Sequence, residues 1–179
     1  MSRGFEIVSK YANEGLNIPH RTTENAAGYD FESATDFTLP SIWKLNFVKL
    51  LWAIKHENSL SESEVAKAKA TLKPYLVPTG IKSYMNSEEV LIIANRSSNP
   101  LKRGLILPNG IGVIDADYYN NESNEGEIFV QLINFSVTDV VIKKGQRIAQ
   151  GIFMPYLLAD QDGLTKKATR IGGFGSSDK

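Results

Sequence analysis

An all-β domain, a sandwich or barrel interrupted by a pair of helices, is the fold class that the sequence predicts, and three observations predict it. Short runs rich in Val, Ile, Phe and Tyr recur along the chain, bounded by Gly, Pro, Asn, Asp and Ser. Residues 41–73 break that pattern, with no glycine and much Lys, Leu, Ala and Glu. After Pro155 the chain turns polar and small and ends in ATRIGGFGSSDK.

From the N-terminus, FEIVSKY and YDFESA are the first strands, since β-branched and aromatic residues fit a pleated, half-buried surface. Residues 41–56 and 62–73 then form two helices. The second starts at Ser61 with Glu64 three residues on, a capping-box pair that sets Val65, Ala68 and Leu72 on one face. In the first, apolar side chains including Trp43, Phe47, Leu50, Leu51 and Trp52 fall almost all round. It is therefore expected to be covered on more than one side, by the β body, a neighbouring subunit or a separate protein partner. VLIIAN and IFVQLINFS carry nearly continuous apolar runs and read as strands buried on both faces. GLILP and GVIDA flank Asn109-Gly110, a pair that favours a tight hairpin turn. Strand alternation through GVIDADY sends Asp115, Asp117 and Tyr119 to one face, and Ala116 and Tyr118 to the other. DVVIK and RIAQGIFMPY complete the strands, and residues 165–179 form a mobile arm because so few of them can bury apolar surface.

Length and composition narrow the function. A chain of 179 residues suits a single domain spanning all of it. Twenty basic residues balance twenty acidic ones, so the footprint of a non-specific nucleic-acid binder is missing, and any polyanion must be met locally. Without cysteine there is no thiolate nucleophile and no thiolate metal site, and His20 and His56 are too far apart to suggest a histidine centre or triad. No secretory signal is evident, and the apolar stretch 42–54, broken by Lys44, Asn46 and Lys49, is too short to span a bilayer. A cytoplasmic protein is expected.

Five stretches carry the chemistry, in this order: AGYDFESA from Ala27, NRSSNP from Asn95, PNGIGVIDADY from Pro108, GQRIAQ from Gly145 and RIGGFGSS from Arg170. Together they resemble the five motifs of the trimeric deoxyuridine triphosphate nucleotidohydrolases, the dUTPases. The resemblance implies a distorted jelly-roll β-barrel with a helical insertion and a flexible C-terminal lid, and a homotrimer with active sites shared between subunits. It also implies a reaction: water attacks the α-phosphorus of dUTP, giving dUMP and pyrophosphate, with Mg2+ carried by the triphosphate and its waters. That reaction limits uracil incorporation into DNA and supplies dUMP for thymidylate synthesis.

On the same resemblance Asp115 is the catalytic base that orients the water. Asn109 and the main chain at Val113 and Ile114 read the uracil edge, a task suited to a carboxamide with both donor and acceptor. Tyr118 is the apolar floor beneath deoxyribose that leaves no room for a 2′-hydroxyl. Arg96, Ser97, Ser98 and Gln150 meet the phosphates or the waters of their metal. Asp30 and Arg147 brace the site, with Asp117 in a supporting role. In the tail, Phe174 stacks on uracil, Arg170 reaches the γ-phosphate, and Gly175 and Ser176 contact phosphates.

Three features depart from the family pattern. Arg170 stands four residues before Phe174, where many members place it five before; Gln146 stands where an Asp is usual; and NNESNE lengthens the connection after Tyr119. That loop either adjusts subunit packing or is a solvated connection. Two other functions fit parts of the pattern: a dCTP deaminase of the same fold, and a nucleotide-switched regulator whose partner meets the helical insertion.

Overall fold

The structure, a computed structural model, describes residues 2–56, 61–164 and 173. Its strands are β1 (Gly4–Ile7), β2 (Tyr29–Glu32), β3 (Phe37–Leu39), β4 (Tyr75–Pro78), β5 (Ile81–Tyr84), β6 (Glu89–Ala94), β7 (Leu105–Ile106), β8 (Ile111–Asp115), β9 (Phe129–Asn134), β10 (Val140–Ile142) and β11 (Arg147–Pro155). Helices α1 (Leu45–Lys55) and α2 (Glu62–Leu72) stand between β3 and β4. The named strands pair antiparallel: a four-stranded sheet in the order β2-β11-β6-β8, a three-stranded sheet β4-β9-β7, and the ribbons β1-β5 and β10-β3. All enclose one core in which Phe31, Leu39, Leu91, Leu105, Leu132 and Ile148 are wholly buried. No helix among the described residues is long and apolar enough to cross a membrane.

Register decides what each strand shows to the core. Leu91 lies opposite Ile114 and Phe153, and Ile93 opposite Gly112 and Gly151, on the core face of the four-stranded sheet. Val90 with Asp115 and Met154, Ile92 with Val113 and Ile152, and Ala94 with Ile111 and Gln150 share the other face. VLIIA was expected to be buried on both sides. Within one chain only its core face is: on the outer face Ile111 is 49% and Val113 55% exposed. FVQLIN alternates in the same way, with Val130, Leu132 and Asn134 inward.

Two local expectations are corrected. A turn does form at Asn109-Gly110: the Gly110 N–H donates to the Leu107 carbonyl at 3.0 Å, and Gly110 takes φ 71°. Its arms do not pair, however, because β7 joins β9 while β8 joins β6. Leu105 and Leu107 are drawn into the core beside β9, which separates the two arms into different sheets. Secondly, strand alternation ends at Asp115, where a 3-10 turn over Ala116–Tyr118 takes over. Tyr118 is thereby buried, and Tyr119 swings to the Glu6 carboxylate.

Two helices form in the insertion as the sequence predicts, with α1 starting at Leu45. The α2 capping box forms, with the Ser61 N–H on Glu64 Oε2 at 2.9 Å and the Glu64 N–H on Ser61 Oγ at 3.4 Å. Trp43 pins the start of the insertion, donating from Nε1 to the Phe135 carbonyl at 3.0 Å. Within one chain α1 packs on α2 and leaves Val48, Leu51 and Trp52 exposed.

Asn134 ties that insertion to the sheet. Its buried carboxamide donates to the carbonyls of Leu39 (2.9 Å) and Thr138 (2.8 Å) and accepts from the N–H (2.9 Å) and Oγ (2.6 Å) of Ser136. Its own carbonyl accepts the Ile42 N–H at 3.1 Å. Leucine would fill the space and leave those partners unpaired, at about 1–3 kcal/mol for each group that stays buried. Asn134→Leu should therefore lose at least about 2 kcal/mol in chemical denaturation, whereas a loss below 0.5 would show that the network is dispensable.

Candidate active site

The predicted site residues fall into two clefts of one chain. The first, about 240 Å³, is lined by Thr22, Gly28, Asp30, Arg96, Ser97, Ser98, Arg147 and Gln150. Asp30, on β2, is its hub. It accepts Arg96 Nε at 2.9 Å on one oxygen, and Thr22 Oγ1 at 2.7 Å and Arg147 Nη1 at 3.1 Å on the other. Burial alone would raise the Asp30 pKa, but hydrogen bonds from Thr22 and Arg147 and the charges of both arginines outweigh it and hold the carboxyl below its ordinary range. A guanidinium has five donors, and the Asp30 bond takes one from Arg96, so this cleft offers cations and hydroxyls together to an anion.

Sequence reasoning missed what holds the turn Arg96-Ser97-Ser98 in place. Asn99, wholly buried, donates to Asn95 Oδ1 at 2.8 Å and to the Ile148 carbonyl at 2.7 Å. Asn95 donates to the Leu105 carbonyl at 3.0 Å, while Gln150 Nε2 donates to the Asn95 carbonyl at 3.0 Å. The turn is thus strapped to β11 and β7. Gln146, standing where the family usually has Asp, accepts the Lys143 N–H at 3.1 Å and closes a turn outside the cleft.

The second cleft, about 180 Å³, follows the edge of β8 and holds Asn109, Val113, Ile114, Asp115 and Tyr118, with Phe129 and Gln131 of β9. Because β8 ends the sheet order, alternate N–H and C=O groups along its outer side point away from the sheet, a row of donors and acceptors suited to a planar polar edge. Asp115 stands at the far end of that row, and Tyr118, 6% exposed, forms part of the wall. Gly173 also borders this cleft, so close that a Cβ there would meet the Tyr118 ring at 2.8 Å. Arg170, Phe174, Gly175 and Ser176 lie outside the described residues. Among the described residues no group of three or more His, Asp or Glu side chains could hold a metal ion.

The clefts share no lining residue and are set head to tail. Ile111 lies opposite Ala94 and Asp115 opposite Val90, so the Asn109 end of β8 neighbours the Arg96 turn while Asp115 is displaced along β6 by about 13 Å at the usual rise per residue.

Asp30 makes the cleft sensitive to acid. A carboxyl whose folded pKa is depressed stabilises the fold above its unfolded pKa of about 3.9, and that stabilisation fades as pH falls through the folded value. Asp30→Asn should cost about 2 kcal/mol at pH 7, and the gap from the wild type should shrink below about pH 4. A pH-independent gap in urea unfolding would contradict this.

Comparisons with known proteins identify the family. A family model described as dUTPase matches residues 59–178. A deoxyuridine 5′-triphosphate nucleotidohydrolase of Lactococcus lactis is 47% identical over 98% of this chain and 97% of its own length. The crystal structure of dUTPase from Streptococcus mutans is 40% identical, covers 88% of this chain and 98% of its own, and superposes with a TM-score of 0.67. A D95N dUTPase from phage phi11 of S. aureus, in which a structural Mg(II) ion is coordinated, is 15% identical, with coverage of 98% and 99% and a TM-score of 0.58, and so shares the fold. With two polar clefts on a jelly-roll-like β scaffold, a family match over most of the chain and near full-length relatives, this chain belongs to the dUTPase family and is a dUTP diphosphatase.

Proposed function

We propose that the chain hydrolyses dUTP in a site completed between copies of itself, and the head-to-tail placement of its clefts carries the proposal. A nucleotide seated with uracil at Asn109 and its α-phosphorus at Asp115 would extend its phosphates away from the Arg96 turn of the same chain. A second copy must bring Arg96, Ser97, Ser98 and Gln150 to the phosphates. The outer face of the four-stranded sheet, where Ile111 and Val113 are exposed beside half-buried Ile92 and Ile152, supplies apolar surface for that association. A homotrimer closes such a heterologous contact into a ring.

In this site Asn109 and the edge of β8 read the uracil imide, and the Tyr118 ring excludes a 2′-hydroxyl. Asp115 accepts a proton from a water held in line with the α-phosphorus. The new bond forms from the water oxygen to α-phosphorus as the bond to the bridging oxygen of pyrophosphate breaks, leaving dUMP. Arg96, Ser97 and Ser98 stabilise charge that moves onto the leaving pyrophosphate. Mg2+ carried by the triphosphate would neutralise part of its charge. The products match a role in keeping uracil out of DNA and in supplying dUMP for thymidylate synthesis.

The test is pyrophosphate release from dUTP, UTP, dTTP and dCTP with magnesium, together with Asp115→Asn. Wild-type protein should strongly prefer dUTP, and the variant should lose roughly 10²–10⁴-fold in turnover while still binding dUTP. Ammonia released from dCTP without pyrophosphate from dUTP, or an active Asp115→Asn enzyme, would contradict the assignment.

A further inference from the structure

We propose that the lengthened loop 119–126 is a clamp that fixes the Tyr118 ring, and that Asn124 within it is a positioning residue setting discrimination against ribonucleotides. The proposal rests on the reading of Tyr118 as the sugar floor. The loop is built rather than slack. Asn121, 8% exposed, folds it from inside, its Oδ1 accepting from the Ser123 N–H at 3.0 Å, Ser123 Oγ at 2.7 Å and the Asn124 N–H at 3.2 Å. Asn120 and Glu125 take left-handed φ of 55° and 59°, conformations that persist in such residues only where the surroundings over-determine them. Those surroundings are specific. Nearly buried Lys82 donates to Asn120 Oδ1 at 2.6 Å and Glu125 Oε2 at 3.4 Å, and Ser9 donates to the same Glu125 oxygen through its N–H at 3.2 Å and Oγ at 3.0 Å.

The output of this bracing is a grip on Tyr118 at both ends. Asn121 Nδ2 donates to the Tyr118 carbonyl at 2.9 Å, and Asn124 Nδ2 donates to the Tyr118 hydroxyl at 2.8 Å. That hydroxyl donates in turn to the Glu127 carbonyl at 2.9 Å. Asn124 is itself held, its Oδ1 accepting from Asn121 Nδ2 at 2.8 Å and the Gly126 N–H at 3.1 Å. A tyrosine fixed at its main chain and its hydroxyl cannot swing its ring, so the space above it stays too small for one more oxygen. Without the hydroxyl anchor the ring gains the freedom to yield to a 2′-hydroxyl.

The experiment compares kcat/KM for dUTP, UTP and dTTP in wild type, Asn124→Ala, Tyr118→Phe and the double variant. Asn124→Ala removes one of the two hydrogen bonds of the Tyr118 hydroxyl and Tyr118→Phe removes both, so each should lower the dUTP-over-UTP ratio, Tyr118→Phe on the order of tenfold. The double variant should lower it no further than Tyr118→Phe, while the dUTP-over-dTTP ratio holds. An unchanged sugar ratio in Asn124→Ala, equal loss of both ratios, or additive losses in the double variant would overturn the proposal. A wild type that hydrolyses dUTP without preferring it to UTP would instead remove the Tyr118 reading beneath it. If Asn124→Ala does not fold, Tyr118→Phe decides alone, since it keeps the ring and removes only the hydroxyl by which the ring is anchored.

Discussion

Strand β6 is hydrogen-bonded to β11 along one edge and to β8 along the other, and its direction decides where each polar group of the site can lie. One end delivers the chain into the Arg96 turn, which β11 and β2 brace through Gln150 and Asp30. Along the other edge β8 runs the opposite way, so Asp115 ends up far from that turn. In the nucleotide pose proposed above, that antiparallel ladder places Asp115 and the phosphate-binding Arg96 turn in different copies of the chain. The same strand places Val90 and Ile92 on the outer face, so that apolar surface and the separation of Asp115 from the Arg96 turn arise from one register.

Much of the site was legible because its chemistry is local. Ser97 and Ser98 follow Arg96 directly, and Asn109, Asp115 and Tyr118 lie within one short stretch, so their clefts follow from chain order. The pairing of Asp30 with Arg147 also appears, although Arg96 shares that carboxylate, which motif reasoning had reserved for no third partner. What could not be read was non-local. Nothing in LILPNGIGV says that its arms join different sheets; that follows from Leu105 finding the core beside β9. Strands β4 and β5 escaped notice because Pro78-Thr79-Gly80 reads as a turn and obscures the strands on either side.

Asparagine was the other blind spot. Asn99, Asn121 and Asn124 look in sequence like turn or loop residues and Asn134 like the polar end of a strand, yet each is a hub whose amide ties together groups from separate segments. Their value depends on burial, which periodicity does not report for short polar side chains. The loop after Tyr119 shows this most clearly. Its composition suggested a solvated connection, while its hydrogen bonds make it a rigid bracket on a wall of the second cleft.

If the Asp115 cleft of one copy works with the Arg96 cleft of another, two inactive chains should complement each other. Asp115→Asn and Arg96→Ala chains would be refolded together and assayed for pyrophosphate release from dUTP. With random mixing about a quarter of the shared sites receive both intact halves, so activity should recover to that fraction of wild type. A mixture that forms mixed oligomers yet stays as inactive as either variant alone would contradict a site shared between copies.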